Sequence, residues 1–197
     1  MKITTIVGTN SLKQNTYIVE DNNTIIMIDC GSSLELILDE YRNENNKELQ
    51  HIDAIFLTHT HFDHTCGLKD ILNKFKVPVF VKSECSSWIS DPYYNASGMF
   101  SKPLTYNPPI VNEISTENEI VVKTIKIKPY FTPGHTDCSM CFQIENFLFT
   151  GDTKFYLASG RTDLPTGNKE KLDKSLKLIK SIICDLCYPG HGIPFKN

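Results

Sequence analysis

Thr58-His59-Thr60-His61-Phe62-Asp63-His64 follows directly on the apolar run Ala54-Ile55-Phe56-Leu57. The apolar run predicts a buried strand, and the stretch after it reads as a loop holding three histidines and an aspartate within six residues. At the end of a strand, extended backbone points alternate side chains to one face, so His59 and His61 converge on a single ion. Asp63 and His64 are adjacent and are expected to point in different directions. One tetrahedral ion does not need that, whereas two neighbouring ions do, each taking nitrogen and oxygen ligands.

Three further loops repeat the pattern of apolar strand, glycine turn and ligand-type side chain: Phe131-Thr132-Pro133-Gly134-His135, Phe149-Thr150-Gly151-Asp152 and Tyr188-Pro189-Gly190-His191. Glycine lets the backbone turn sharply, so that the next side chain stands at the strand's end. Taken singly each is only a turn. Together they put five of the six histidines at strand ends, and His51, in a polar stretch, reads as a surface residue.

Around these loops, β-branched runs separated by polar turns predict strands over residues 2–7, 16–20 and 24–29, with turns at Gly8-Thr9-Asn10 and Asp21-Asn22-Asn23. Ser32 or Ser33 caps a helix to about Asn43, with Leu34, Leu38 and Tyr41 sharing one face. Strands are expected over 53–58 and 77–81, with a helix over 67–75 between them. Residues 90–112 carry four prolines and no periodicity, which predicts an irregular surface excursion; Trp88, Tyr93, Tyr94, Phe100 and Tyr106 in or near it either line a substrate or simply pack. Strand signals resume over 120–128, 139–145 and 147–150, and Asn168 caps a last helix to about Ile182 before a short strand over 183–187. Strands in two blocks, each followed by helix, give an α+β chain: two sheets face to face with helices outside.

Composition narrows the class. The chain has 197 residues, 40% hydrophobic and 22% charged, with 20 Lys and Arg against 23 Asp and Glu for a net charge of −3. A chain of this length buries roughly 70% of its unfolded surface, so one domain over residues 1–197 is expected. No basic run marks a nucleic-acid or anionic-membrane partner, and no apolar run approaches the ~18 residues of a membrane span. Met1-Lys2-Ile3-Thr4-Thr5 lacks a signal-peptide apolar stretch, so the expected compartment is the cytoplasm. Seven cysteines, an odd number, are then expected as free thiols.

The order His59, His61, Asp63, His64, His135, Asp152, His191 resembles, over nearly the whole chain, the metallo-β-lactamase fold superfamily, whose pattern is His-x-His-x-Asp-His followed by a single His, an Asp and a last His. The resemblance implies an αββα sandwich of two mixed sheets with the site along one edge. It implies that His59, His61 and His135 hold one divalent metal, Asp63, His64 and His191 a second, and that Asp152 bridges them, with Asp63 and Asp152 the catalytic carboxylates. Zinc is the expected metal, and the same ligands accept iron or manganese. Asp29, in Ile28-Asp29-Cys30-Gly31, resembles the family's strand-end Asp that orients a ligand; by itself it is also a turn former.

Asp152 stands where many β-lactamases carry Cys, and His61 where flavodiiron oxidoreductases carry an acid, which argues against both classes. Ser159-Gly160-Arg161-Thr162-Asp163 resembles the Gly-Arg-Thr-Asp signature of small glyoxalase II-like hydrolases, implying hydrolysis of a small-molecule acyl-thiol thioester by a metal-bridging hydroxide. Arg161 then offers a planar fork to a substrate carboxylate, or pairs with Asp163 and braces the loop. The alternative is a persulfide dioxygenase with one iron on His59, His135 and Asp152. A third reading takes Cys138-Ser139-Met140-Cys141 and Cys184-Asp185-Leu186-Cys187 as a four-thiolate structural zinc site, against free thiols buried in the core.

Overall fold

The computed structural model describes residues 1–9 and 11–197, so the Asn10 end of the turn read at Gly8-Thr9-Asn10 lies outside the described residues. The first sheet holds β1 (Lys2–Val7), β2 (Asn15–Asp21), β3 (Thr24–Ile28), β4 (Ala54–Phe56), β5 (Val79–Lys82) and β6 (Val111–Ile114), in that spatial order. β1, β2 and β3 are antiparallel, and β3 to β6 run parallel. Parallel neighbours need crossovers, supplied by α1 (Leu34–Asn45) between β3 and β4, and by α2 (Phe62–Thr65) and α3 (Leu68–Phe75) between β4 and β5. Between β5 and β6 run a 3₁₀ turn over Ser86–Ser90 and α4 (Ser97–Phe100). The second sheet holds β7 (Ile120–Val122), β8 (Ile125–Phe131), β9 (Met140–Ile144), β10 (Phe147–Gly151) and β11 (Leu186–Pro189), in the order β11-β10-β9-β8-β7. Only β10 and β11 are parallel there, joined by α5 (Lys169–Ser181). Both sheets are therefore mixed.

β3 shows why these layers form. Its Ile25-Ile26-Met27-Ile28 run has no polar alternation because both faces are covered. Ile26 and Ile28 join Tyr17, Phe56, Phe142 and Phe149 in the core between the sheets. Ile25 and Met27 point the other way, into the core under α1 and α3 with Ile37, Tyr41 and Leu72. A third core, with Cys141, Leu148 and Ile179, lies between the second sheet and α5. The result is the αββα sandwich, each fully buried large side chain contributing about 1.5–3 kcal/mol. Ser33 and Asn168 cap α1 and α5 by accepting from Leu36 N and Lys171 N.

Three local expectations need correction. Residues 120–128 form the β7–β8 hairpin instead of one strand: Lys123 turns at φ 49°, and Thr124 Oγ1 bonds to Thr24 Oγ1 at 2.8 Å. β6 arises at the end of the segment read as irregular, and that segment is pinned by buried Asn95, whose Nδ2 donates to Ile89 O and Leu104 O, both at 2.9 Å. On α1 the fully buried residues are Ile37 and Tyr41, with Leu34 and Leu38 only partly covered. Cys138 packs in the core under α1 and α3 while Cys141, Cys184 and Cys187 pack in the core beneath α5, so the two Cys-x-x-Cys pairs do not assemble a four-thiolate site and the reading as free thiols in the core stands. All seven cysteines are free thiols, and five of them are buried. Among the described residues no helix is long and apolar enough to cross a membrane.

Candidate metal centre

β8 and β10 both run antiparallel to β9, and β11 runs parallel to β10, so β8, β10 and β11 end at one edge of the second sheet. The end of β4 is fastened to that edge by Met140 N donating to Thr58 O at 2.8 Å. The chain thus delivers His59 and His61 from beyond β4, His135 from beyond β8, Asp152 directly after β10 and His191 just past β11. His61 is the N-cap of α2, and Asp63 and His64 lie within its single turn. Asp63 and His64 point in different directions, about 100° apart on the helical turn, yet both reach the cluster, with His64 Nε2 and Asp63 Oδ2 3.7 Å apart.

All seven side chains meet in three overlapping groups, His59/His61/His135, His59/His64/Asp152 and Asp63/His64/His191. Within each group the ligand-type atoms lie within 4.8 Å of one another. His135 Nε2 is 2.9 Å from His61 Nδ1, and Asp152 lies between the two ends, 3.7 Å from His135 Nε2 through Oδ2 and 3.2 Å from His64 Nε2 through Oδ1. His191 Nε2 is 3.3 Å from Asp63 Oδ2 and 3.4 Å from Asp152 Oδ2.

The outer nitrogens set the tautomers. His64 Nδ1 donates to Asp29 Oδ2 at 2.8 Å, His135 Nδ1 to Arg161 O at 2.8 Å and His191 Nδ1 to Leu12 O at 2.8 Å. His59 Nδ1 donates to Thr58 Oγ1 at 3.1 Å, and that hydroxyl donates in turn to Asp29 Oδ2 at 2.7 Å. With Nδ1 committed, the Nε2 atoms of these rings face the cluster. Asp29 also takes the Thr58 N–H at 2.7 Å, and holds φ at 56°, a left-handed conformation that three accepted hydrogen bonds secure. Gly190 is obligatory: a Cβ there would lie 2.1 Å from Asp152 Oδ1. Thr58 and the Leu12 and Arg161 carbonyls went unread in the sequence, the carbonyls because backbone atoms carry no sequence signal.

Burial lowers the pKa of His59 well below the usual histidine value, and neighbouring His64 and His61 add to the effect. Burial, with His135 beside it, takes His61 down to about 3. For His64 burial acts in the same sense but is outweighed by Asp152, Asp63 and Asp29, which hold it well above the ordinary value. His191 likewise overcomes burial through its bonds to Asp152 and Asp63 and rises to about 10. Burial disfavours the Asp152 and Asp63 carboxylates, yet the charge of His64 and the His191 bond keep both ionised.

The donor set fits cations. His59 Nε2, His61 Nε2 and Asp152 Oδ1 are buried without a hydrogen-bond partner, and such orphaned acceptors among imidazoles and carboxylates are what divalent ions take. A cleft of about 540 Å³ opens over His61, Asp63, His135, Asp152 and His191, walled by Leu12, Phe62, Phe100, Arg161 and Leu164. Arg161 lies at this wall, but its Nε and Nη2 fork onto Asp163 at 2.7 and 2.6 Å while its guanidinium sits 5.8 Å from the Phe100 ring.

A family model described as the metallo-beta-lactamase superfamily matches residues 10–191. The chain is 34% identical over 185 residues to the probable metallo-hydrolase MJ0888 of Methanocaldococcus jannaschii, covering 90% of this chain and 87% of that protein. It is 28% identical over 198 residues to a hydroxyacylglutathione hydrolase of Hydrogenovibrio crunogenus, covering 98% of this chain and 64% of that longer one. The crystal structure of the BLEG-1 B3 metallo-beta-lactamase superposes with a TM-score of 0.88 at 27% identity, covering 99% of this chain and 94% of that one.

Proposed function

Because the chain belongs to the metallo-beta-lactamase superfamily, we propose that its seven converging side chains hold two divalent cations and that it hydrolyses a small acyl-thiol thioester. The observation that carries the reading is the set of three overlapping ligand groups with buried, unpartnered Nε2 and Oδ1 atoms pointing inward. His59, His61 and His135 would hold one cation, Asp63, His64 and His191 the other, with Asp152 shared. Such a pair supplies Lewis acidity and hydroxide at neutral pH. Zinc is the favoured metal, on the imidazole-rich donor set.

The chain's own residues supply position and proton handling. Asp63 borders the cleft and is ionised, so its Oδ2 can orient an attacking water and accept its proton. Phe62, Phe100 and Leu164 keep the acyl carbon among apolar walls, and Arg161 offers the guanidinium edge not used by Asp163 to an anionic group on the thiol carrier. A thiolate leaves without much protonation, so no separate acid is required. The likeness to a hydroxyacylglutathione hydrolase supports this substrate class; the likeness to BLEG-1 supplies a β-lactam amide as the second reading, against which stands Asp152 in the place where many β-lactamases carry Cys.

Protein loaded with two equivalents of zinc is expected to hydrolyse a lactoyl thioester of a low-mass thiol, followed by release of free thiol, and His59→Ala to abolish it. Turnover of a penicillin without thioesterase activity would establish the second reading instead. Oxygen uptake with a persulfide and no hydrolysis of either ester or lactam would overturn both.

A further inference from the structure

The two halves of the centre are supported differently. His59 and His135 are 1% and 3% exposed, and each is oriented by a neighbour at the same edge, Thr58 or the Arg161 carbonyl. The His191 side chain is 25% exposed and stands on a loop with glycines on either side, Gly190 and Gly192, the latter at φ 82°. Glycines leave such a loop free to move unless its backbone is tied.

The ties come from the other sheet. Gln14 pairs antiparallel with His191, and Asn15 N–H donates to Gly190 O at 2.6 Å. Asn15 is 1% exposed, and its Nδ2 donates to Pro189 O and to Gly192 O, both at 2.9 Å, and meets Tyr17 Oη at 2.9 Å. The Tyr17 hydroxyl donates in turn to Pro189 O at 2.5 Å. The carbonyls of residues 189, 190 and 192 all accept from these two residues. The reversed carboxamide would set Oδ1 against two carbonyl oxygens, so the orientation is fixed, and Asn15 Oδ1 is left buried without a partner as its cost.

We propose that Asn15, assisted by Tyr17, is the positioning residue for His191, and that it governs cation binding by the Asp63/His64/His191 half while leaving the His59/His61/His135 half untouched. This rests on the two-cation reading above. Losing the clasp frees one of the three ligands of the Asp63/His64/His191 half, whereas no bond of the clasp reaches His59, His61 or His135.

The test is zinc titrated into the stripped full chain against a chromophoric chelator. Wild type gives two equivalents, and His191→Ala identifies which of them belongs to the clasped half. Asn15→Ala is expected to weaken that equivalent by about ten- to a hundredfold, with the other at its wild-type constant. Tyr17→Phe, which keeps the ring against Phe149 and Tyr188, is expected to weaken the same equivalent by less, and it decides the matter if Asn15→Ala does not fold. Wild-type constants for both equivalents, or equal weakening of the two, overturn the assignment. A wild-type chain that binds fewer than two equivalents overturns the two-cation reading, and this inference falls with it.

Discussion

Asp29 gathers three donors on one buried carboxylate: the Thr58 N–H, the Thr58 hydroxyl and His64 Nδ1. Through the first two it reaches His59, and through the third His64, so one side chain orients imidazoles in both halves of the centre. Asp29→Asn keeps an acceptor for one donor but turns an NH₂ toward the others. Metal affinity is expected to fall about ten- to a hundredfold, and stability by about 1–3 kcal/mol for the donors left unmet. Chelator competition and urea unfolding measure the two, and unchanged affinity would refute the role. At this scale the sequence was generous about side chains, since ligand chemistry resides in their atoms. It was silent about the Leu12 and Arg161 carbonyls, whose contributions do not depend on what Leu12 or Arg161 is.

α2 shows where element-level reading went astray. The stretch over residues 58–64 reads as a loop, yet a single helical turn within it brings Asp63 and His64 to one cluster. A four-residue helix has no room for a periodic pattern, so nothing in its composition announced it. The β7–β8 turn escaped for a related reason: Lys123 adopts a left-handed conformation without glycine or asparagine to signal it. Caps with a side-chain mechanism, Ser33 and Asn168, were legible. Lys76 ends α3 in the left-handed region at φ 51°, exposed, with its N–H donating to Leu72 O. Lys76→Gly relieves the Cβ strain and is expected to stabilise the protein by about 1 kcal/mol, read as a higher urea midpoint at unchanged slope; a lower midpoint would contradict it.

Across the whole molecule the layer order was readable because the strands come in two blocks, each followed by helix, while the strand order was not, because pairing partners leave no local trace. The centre draws ligands from both sheets, His59 from beyond β4 and His135, Asp152 and His191 from beyond β8, β10 and β11. Cations bound there would therefore hold the sandwich shut at that edge. Each site kept at a hundredfold its dissociation constant adds about 2.7 kcal/mol, and a chain of this length shifts roughly 2–4 °C per kcal/mol. Stripping both cations with a chelator is expected to lower the calorimetric midpoint by at least about 10 °C, and an unmoved midpoint would count against cation binding. The loop at Gly160-Arg161 carries a different kind of consequence. Its side chain walls the cleft, its carbonyl steers His135, and a Cβ at Gly160 would lie 2.0 Å from Asp152 O. Selection for a new preference and selection for a working catalyst therefore fall on the same short segment. Divergence toward other substrates has its freer path through Phe100, an exposed side chain that lines the cleft and supplies no ligand.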